Sequence, residues 1–140
     1  MTMRKYAVVL AFLLVASGCS LKGNVFSLSV GDCFNSPPTG KVDSVDRVSC
    51  SDSHKFEVYG TFDLTGSSWP GESTVQKRAD DGCLSRFASY VGVGYDDSDW
   101  YYSVLTPTQD SWNRGDDREV ICMLTPWSGM TTGSAKGTKR

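Results

Sequence analysis

The sequence predicts an α+β domain: a small disulfide-linked antiparallel sheet of about five strands, ordered β-β-β-α-β-β, with one helix packed on one face. Three observations lead there. The run from Lys55 to Leu64 alternates, placing Phe56, Val58, Gly60, Phe62 and Leu64 on one face of a strand. Val75, Ala79, Cys83 and Phe87 recur every fourth residue, close enough to the helical turn to form one stripe. Strands clustered before and after a single helix argue for an antiparallel sheet covered by that helix.

The elements follow in order. Val30-Gly31-Asp32-Cys33-Phe34-Asn35 reads as a short strand, ended by the turn signal Ser36-Pro37-Pro38-Thr39-Gly40. Val42, Val45 and Val48 lead to Cys50 in a second, irregular strand, and Ser51-Asp52-Ser53 turns the chain into the alternating third. Thr65 to Gly71 breaks that pattern. Ser73 or Gly71 can cap the helix start and Gly92 can end it, while Gly82 inside it costs about 1 kcal/mol relative to Ala or allows close packing on the sheet. Trp100 to Thr106 reads as a strand stopped by Pro107, and Arg118 to Leu124 as the last strand, stopped by Pro126. The segment between them, Pro107 to Asp117, reads as polar loop. Residues 125–140 are rich in Gly, Ser, Thr and Lys and read as a disordered tail.

The first residues are not part of the fold. Arg4 and Lys5 precede an apolar run from Tyr6 to Val15 and the small residues Ala16, Ser17 and Gly18, the order of a secretory signal. That run is too short for a hydrocarbon core of about 30 Å, which needs about 20 residues. Ala16-Ser17-Gly18-Cys19 resembles the bacterial lipobox, although Ala16 stands where Leu is most common. The resemblance implies a diacylglycerol thioether on Cys19 and cleavage before it, and two acyl chains suffice for stable anchoring. The expected organisation is a lipoprotein signal over 1–18, a tether over 19–29, a domain over 30–124 and the tail over 125–140. The expected place is the outer, extracytoplasmic face of the cell membrane, held by lipid on Cys19.

Removing residues 1–18 takes Arg4 and Lys5 and leaves 12 basic against 16 acidic residues, net −4. With no basic stripe, a nucleic-acid partner is not expected. Five cysteines, Cys19, Cys33, Cys50, Cys83 and Cys122, leave one over. Lipid on Cys19 removes it from the pool, and the other four can form two disulfides in an oxidising space. Sequence alone allows three pairings. Cys33–Cys50, tying adjacent strands, and Cys83–Cys122, tying the helix to the last strand, are the expected ones. Without a close Cys-x-x-Cys pair, a structural zinc site is not expected.

Val30-Gly31-Asp32-Cys33-Phe34, a cysteine closing the second strand and His54-x-x-Glu57-Val58 resemble the opening of the actinobacterial septum-formation domain. Later parts match in order: Trp69-Pro70-Gly71-Glu72 before a helix holding Cys83, Thr106-Pro107-Thr108-x-x-Ser111-Trp112, and Val120-Ile121-Cys122. The resemblance covers residues 30–124. It implies a small extracytoplasmic domain linked to septum formation and carries over no catalytic residues.

Among residues that could carry chemistry, His54 is the single histidine, with Asp52 and Glu57 near it. That permits a charged or metal-binding cluster; a turn histidine at a strand start is the plainer reading. No Gly-x-Ser-x-Gly elbow accompanies it. Asp96, Asp97 and Asp99 lack the twelfth-position glutamate of an EF-hand and read as solvated loop carboxylates, as do Asp116, Asp117 and Glu119. Of the four tryptophans, Trp69 and Trp112 lie in polar loops and join His54 as candidate binding residues, since loop aromatics are enriched at interfaces. The expectation is a non-enzymatic, lipid-anchored module, without cofactor or metal, that binds an envelope protein. A glycan- or peptidoglycan-binding lipoprotein and a prophage-type superinfection-exclusion lipoprotein are the alternatives.

Overall fold

The structure, a computed structural model, describes residues 22–23, 28–35 and 45–140. The signal region, Cys19 and the turn over 36–40 lie outside the described residues.

Six strands form one antiparallel sheet: β1 (Lys22–Gly23), β2 (Cys33–Phe34), β3 (Val45–Val48), β4 (Phe56–Asp63), β5 (Trp100–Leu105) and β6 (Glu119–Pro126), ordered β1-β3-β2-β4-β6-β5. Helix α1 (Glu72–Val91) crosses one face, and a short α2 (Gln109–Gly115) precedes β6. The α+β class and the strand order around the helix are as expected. Two parts of the expected tether belong to the fold, because Lys22–Gly23 pairs with β3 and Leu28 is buried.

The helix stripe forms as its spacing predicts: Val75, Ala79, Cys83 and Phe87 are buried, joined by Tyr90 and Val91. Gly71 is the N-cap, and Gly92 closes the helix in the left-handed region (φ 95°), its N–H donating to Ala88 O at 2.9 Å. Gly82 is required by packing, since a Cβ there would lie 2.2 Å from the Phe62 ring. Both expected disulfides are present: Cys33–Cys50 spans 17 residues and Cys83–Cys122 spans 39.

Both faces of the sheet carry buried apolar residues. On the helix face, Tyr59, Leu64, Val120, Cys122 and Leu124 pack with the α1 stripe, Trp100 and Trp112. On the other, Leu28, Phe34 and Val45 cluster with Val58, Ile121 and Met123. This corrects the single apolar face expected for β4. The register with β6 shifts between Val58 and Gly60, so two residues oppose one and the side-chain phase reverses. Phe56 and Val58 thus lie on the face of Leu28, Phe34 and Val45, while Tyr59, Phe62 and Leu64 face the helix.

Two further expectations are corrected. The segment after Pro107 holds α2, whose N-cap Thr108 accepts from Ser111 N–H at 3.1 Å while Thr108 N–H donates back to Ser111 Oγ at 3.0 Å. Residues 125–140 are not a disordered tail. β6 runs to Pro126, and the chain then binds back: Thr131 pairs with His54, Gly133 N–H donates to Cys50 O, Gly137 N–H to Tyr90 O and Lys139 N–H to Val91 O. Composition missed this because the order comes from long-range partners, not from local propensity.

Candidate functional site

The tail is held by a buried carboxylate. Glu57, on β4 opposite Cys33, is 1% exposed. A carboxylate out of water costs several kcal/mol unless its lone pairs are satisfied. Here Oε1 accepts from Tyr90 Oη at 2.7 Å and from the Ser134 hydroxyl, and Oε2 accepts from Ala135 N–H at 2.7 Å. Burial, then the bond to Glu57 and its charge, push the Tyr90 hydroxyl well above the usual tyrosine range. His54, 0% exposed, lies two residues before the same strand and donates from Nδ1 to Asp52 O at 2.9 Å. Its main-chain N–H and C=O are both taken by Thr131, each at 2.9 Å.

His54, Asp52 and Glu57 therefore do not form the cluster that their spacing permitted. Asp52 reaches the imidazole through its main-chain carbonyl, and the Glu57 carboxylate serves Tyr90 and the tail. Among the described residues, Cys33, Cys50 and Glu57 are the grouping of metal-capable donors, within 4.8 Å. The two sulfurs are joined in a disulfide and offer no thiolate. What this assembly does chemically is fasten residues 131–139 to β4 and α1 beside the Cys33–Cys50 bridge.

The loop tryptophans also turn inward. Trp112, on α2, is 2% exposed; Trp69 packs edge-to-face on it with centroids 5.6 Å apart, and the Arg118 guanidinium lies over its ring at 3.8 Å. Trp112 Nε1 donates to Ser67 O at 3.3 Å, and Arg118 donates to Gly66 O, Trp112 O and Asp117 O at 2.9–3.0 Å. These residues pin the 65–71 loop to α2.

Among the described residues the exposed aromatic is Trp127, directly after β6 and 72% exposed, its ring stacked on Tyr101 of β5 with centroids 4.4 Å apart. β5 is an edge of the sheet, and Trp100-Tyr101-Tyr102-Ser103-Val104-Leu105 holds no charge and no proline. Natural edges usually carry such protection against pairing. In the sequence Trp127 falls within the polar 125–140 segment. Its signal was the pairing of a tryptophan just past a strand with an uncharged aromatic strand, which becomes an edge only through topology.

The structure defines a small disulfide-linked α+β domain with a helix on one sheet face and an uncharged aromatic edge strand. The chain belongs to the septum formation family, whose model matches residues 30–139, including nearly all of the docked tail. It is also similar to two curated relatives, both described as an uncharacterized membrane protein of Mycobacterium tuberculosis, in strains CDC 1551 / Oshkosh and ATCC 25618 / H37Rv. Each is 25% identical over 119 residues, covering 78% of this chain and 26% of the relative. The chain thus spans about a quarter of the length of these relatives. No solved structure matches it significantly. Among the described residues, no helix is long and apolar enough to cross a membrane.

Proposed function

We propose that the chain is a non-enzymatic, lipid-anchored module on the extracytoplasmic face of the cell membrane that binds an envelope protein during septum formation. Family membership supports the septal link, and the signal-like first residues ending in Cys19 support the anchor. The observation that carries the binding role is Trp127 stacked on Tyr101 at the uncharged β5 edge. Aromatic anchors in a polar surround are the usual centre of a protein interface.

The test is a tagged full chain compared with Trp127→Ala in dividing cells. The expected result is enrichment at division sites and co-purification of one envelope protein from detergent-solubilised membranes, both lost in the variant while its thermal midpoint holds. Uniform surface distribution with no protein recovered would sink the reading. Mass spectrometry of the mature N-terminus, against Cys19→Ser, tests the anchor: a diacylated cysteine is expected, and an unmodified one contradicts it.

A second reading, an envelope-glycan binder, is favoured by the same stacked pair, since aromatic faces also stack on sugars. Trp127 is then the contact, in place of the inward-turned Trp69 and Trp112. Tryptophan fluorescence that shifts on adding soluble peptidoglycan fragments, and no longer does so in Trp127→Ala, supports it; an unchanged spectrum removes it.

A further inference from the structure

The main-chain groups of β5 alternate between β6 and the open side of the strand. Leu64 N–H donates to Arg118 O at 2.8 Å, so by antiparallel alternation Arg118, Val120 and Cys122 turn toward β4. Val58 agrees: it bonds Gly31 and Asp32 on its other side and leaves its β6 partner Met123 free to face β5. Ile121, Met123 and Thr125 therefore bond their β5 partners Leu105, Ser103 and Tyr101, in a register without a shift. The main-chain groups of Trp100, Tyr102 and Val104 point out of the sheet. Trp100 N–H is taken by Ser98 Oγ at 3.1 Å. Those of Tyr102 and Val104 have no partner among the described residues.

The surroundings constrain what could pair there. Tyr102 and Val104 carry their side chains to the helix face, and Tyr101 carries its ring to the opposite face under Trp127. Asp96, Asp97 and Asp99, all exposed, sit at the entry to β5 and have no ion-pair partner among the described residues. The Arg140 guanidinium lies over the Trp100 ring at 5.6 Å. One end of the edge is acidic and the strand itself is neutral.

We infer that β5 is a strand-addition site for an extended polypeptide segment of a partner, running antiparallel to it. The segment carries apolar side chains at alternate positions and a lysine or arginine at its C-terminal end. Main-chain bonds to Tyr102 and Val104 supply the pairing, and side chains on one face set the register. An antiparallel segment brings its C-terminal end beside Trp100, where Asp96, Asp97 and Asp99 meet a positive charge. An alternating apolar side chain on the face away from the helix packs on the Tyr101–Trp127 stack. This inference rests on the reading of the chain as an interaction module and names the chemistry of its partner.

The probe is a displayed library of random heptapeptides, panned against the full chain in detergent. The expected winners alternate apolar and polar residues and end in Lys or Arg. A synthetic winner should slow hydrogen exchange at the Tyr102 and Val104 amides, and raised salt should weaken it. Val104→Pro, which removes an outward N–H, should abolish binding. Because that variant also perturbs the core, the exposed triple variant Asp96→Asn, Asp97→Asn, Asp99→Asn is measured beside it, with about a tenfold rise in Kd expected. No enrichment, winners that protect other amides, or a triple variant that binds equally well would overturn the inference. So would Tyr102 and Val104 amides protected without peptide in a concentration-dependent dimer, which assigns the edge to a second copy. Should panning fail while a partner still co-purifies through Trp127, strand addition falls and the interaction reading stands.

Discussion

Tyr90 on the helix donates its hydroxyl proton to Oε1 of Glu57 on β4 at 2.7 Å, and the carboxylate so oriented presents Oε2 to Ala135 N–H on the returning tail. One buried acid thereby joins sheet, helix and C-terminal segment.

Replacing that acid by its amide should release the segment. In Glu57→Gln one of the three donors meets an NH2 group, and leaving buried polar groups mismatched costs about 1–3 kcal/mol. Hydrogen exchange should show the Thr131, Gly133, Ala135, Gly137 and Lys139 amides opening first, with β4, β5 and β6 still protected. Unchanged protection across residues 131–139 would show that Glu57 does not hold them.

Alkaline pH should loosen the same junction. The Tyr90 hydroxyl is held well above its ordinary 10.0 by burial and then by Glu57. A raised folded value means that its contribution is complete below about pH 10 and is lost as pH climbs from there toward the folded value. Tyr59, buried and donating to Cys83 O at 3.0 Å, is raised in the same sense. Denaturant midpoints should fall above pH 10, and Tyr90→Phe should flatten that fall. An equal slope in wild type and variant contradicts the assignment.

Helix propensity and packing oppose each other at Gly82. Alanine gains about 1 kcal/mol as a helix former, but its Cβ would sit 2.2 Å from the Phe62 ring. That ring is pinned beneath Arg86, whose guanidinium carbon lies 4.2 Å from its centroid. Overpacking of this kind costs about 1–3 kcal/mol. Gly82→Ala should therefore be destabilising in the wild type and neutral or stabilising in a Phe62→Leu background. Equal effects in both backgrounds would mean that the contact is not limiting.

The two exposure extremes among the tryptophans should separate in stability measurements. Trp112→Ala empties a filled core site and should cost about 3–5 kcal/mol, whereas Trp127→Ala, at the surface, should stay within about 0.5 kcal/mol. Thermal unfolding of the two variants checks this, and comparable losses would place Trp127 in the fold rather than at an interface.

Much of the scaffold was legible in the chain because its signals are local. The four-residue spacing of Val75, Ala79, Cys83 and Phe87 fixed the helix, and the placement of Cys33, Cys50, Cys83 and Cys122 on neighbouring elements gave both disulfides. The bulge between Val58 and Gly60 leaves no mark on hydrophobic alternation, so the two faces of β4 read as one. The tail reads as loose because Ser134 and Ala135 are unremarkable until Glu57 is known to be buried. Helix α2 did leave a signal in the reciprocal Thr108–Ser111 cap, masked by its polar composition. The candidate site was the least legible part. Trp112 and Trp127 look alike in sequence, and only the order of strands shows which one faces solvent at an open edge.

The proposed partner site is the β5 edge together with Trp127. A photo-crosslinking phenylalanine analogue installed at Trp127 of the full chain in dividing cells tests it most directly, with the same analogue at Leu84, an exposed residue of the helix, as the comparison. One envelope protein is expected to be trapped from position 127 and none from position 84. Trapping from position 84 alone, or from neither position, would contradict it.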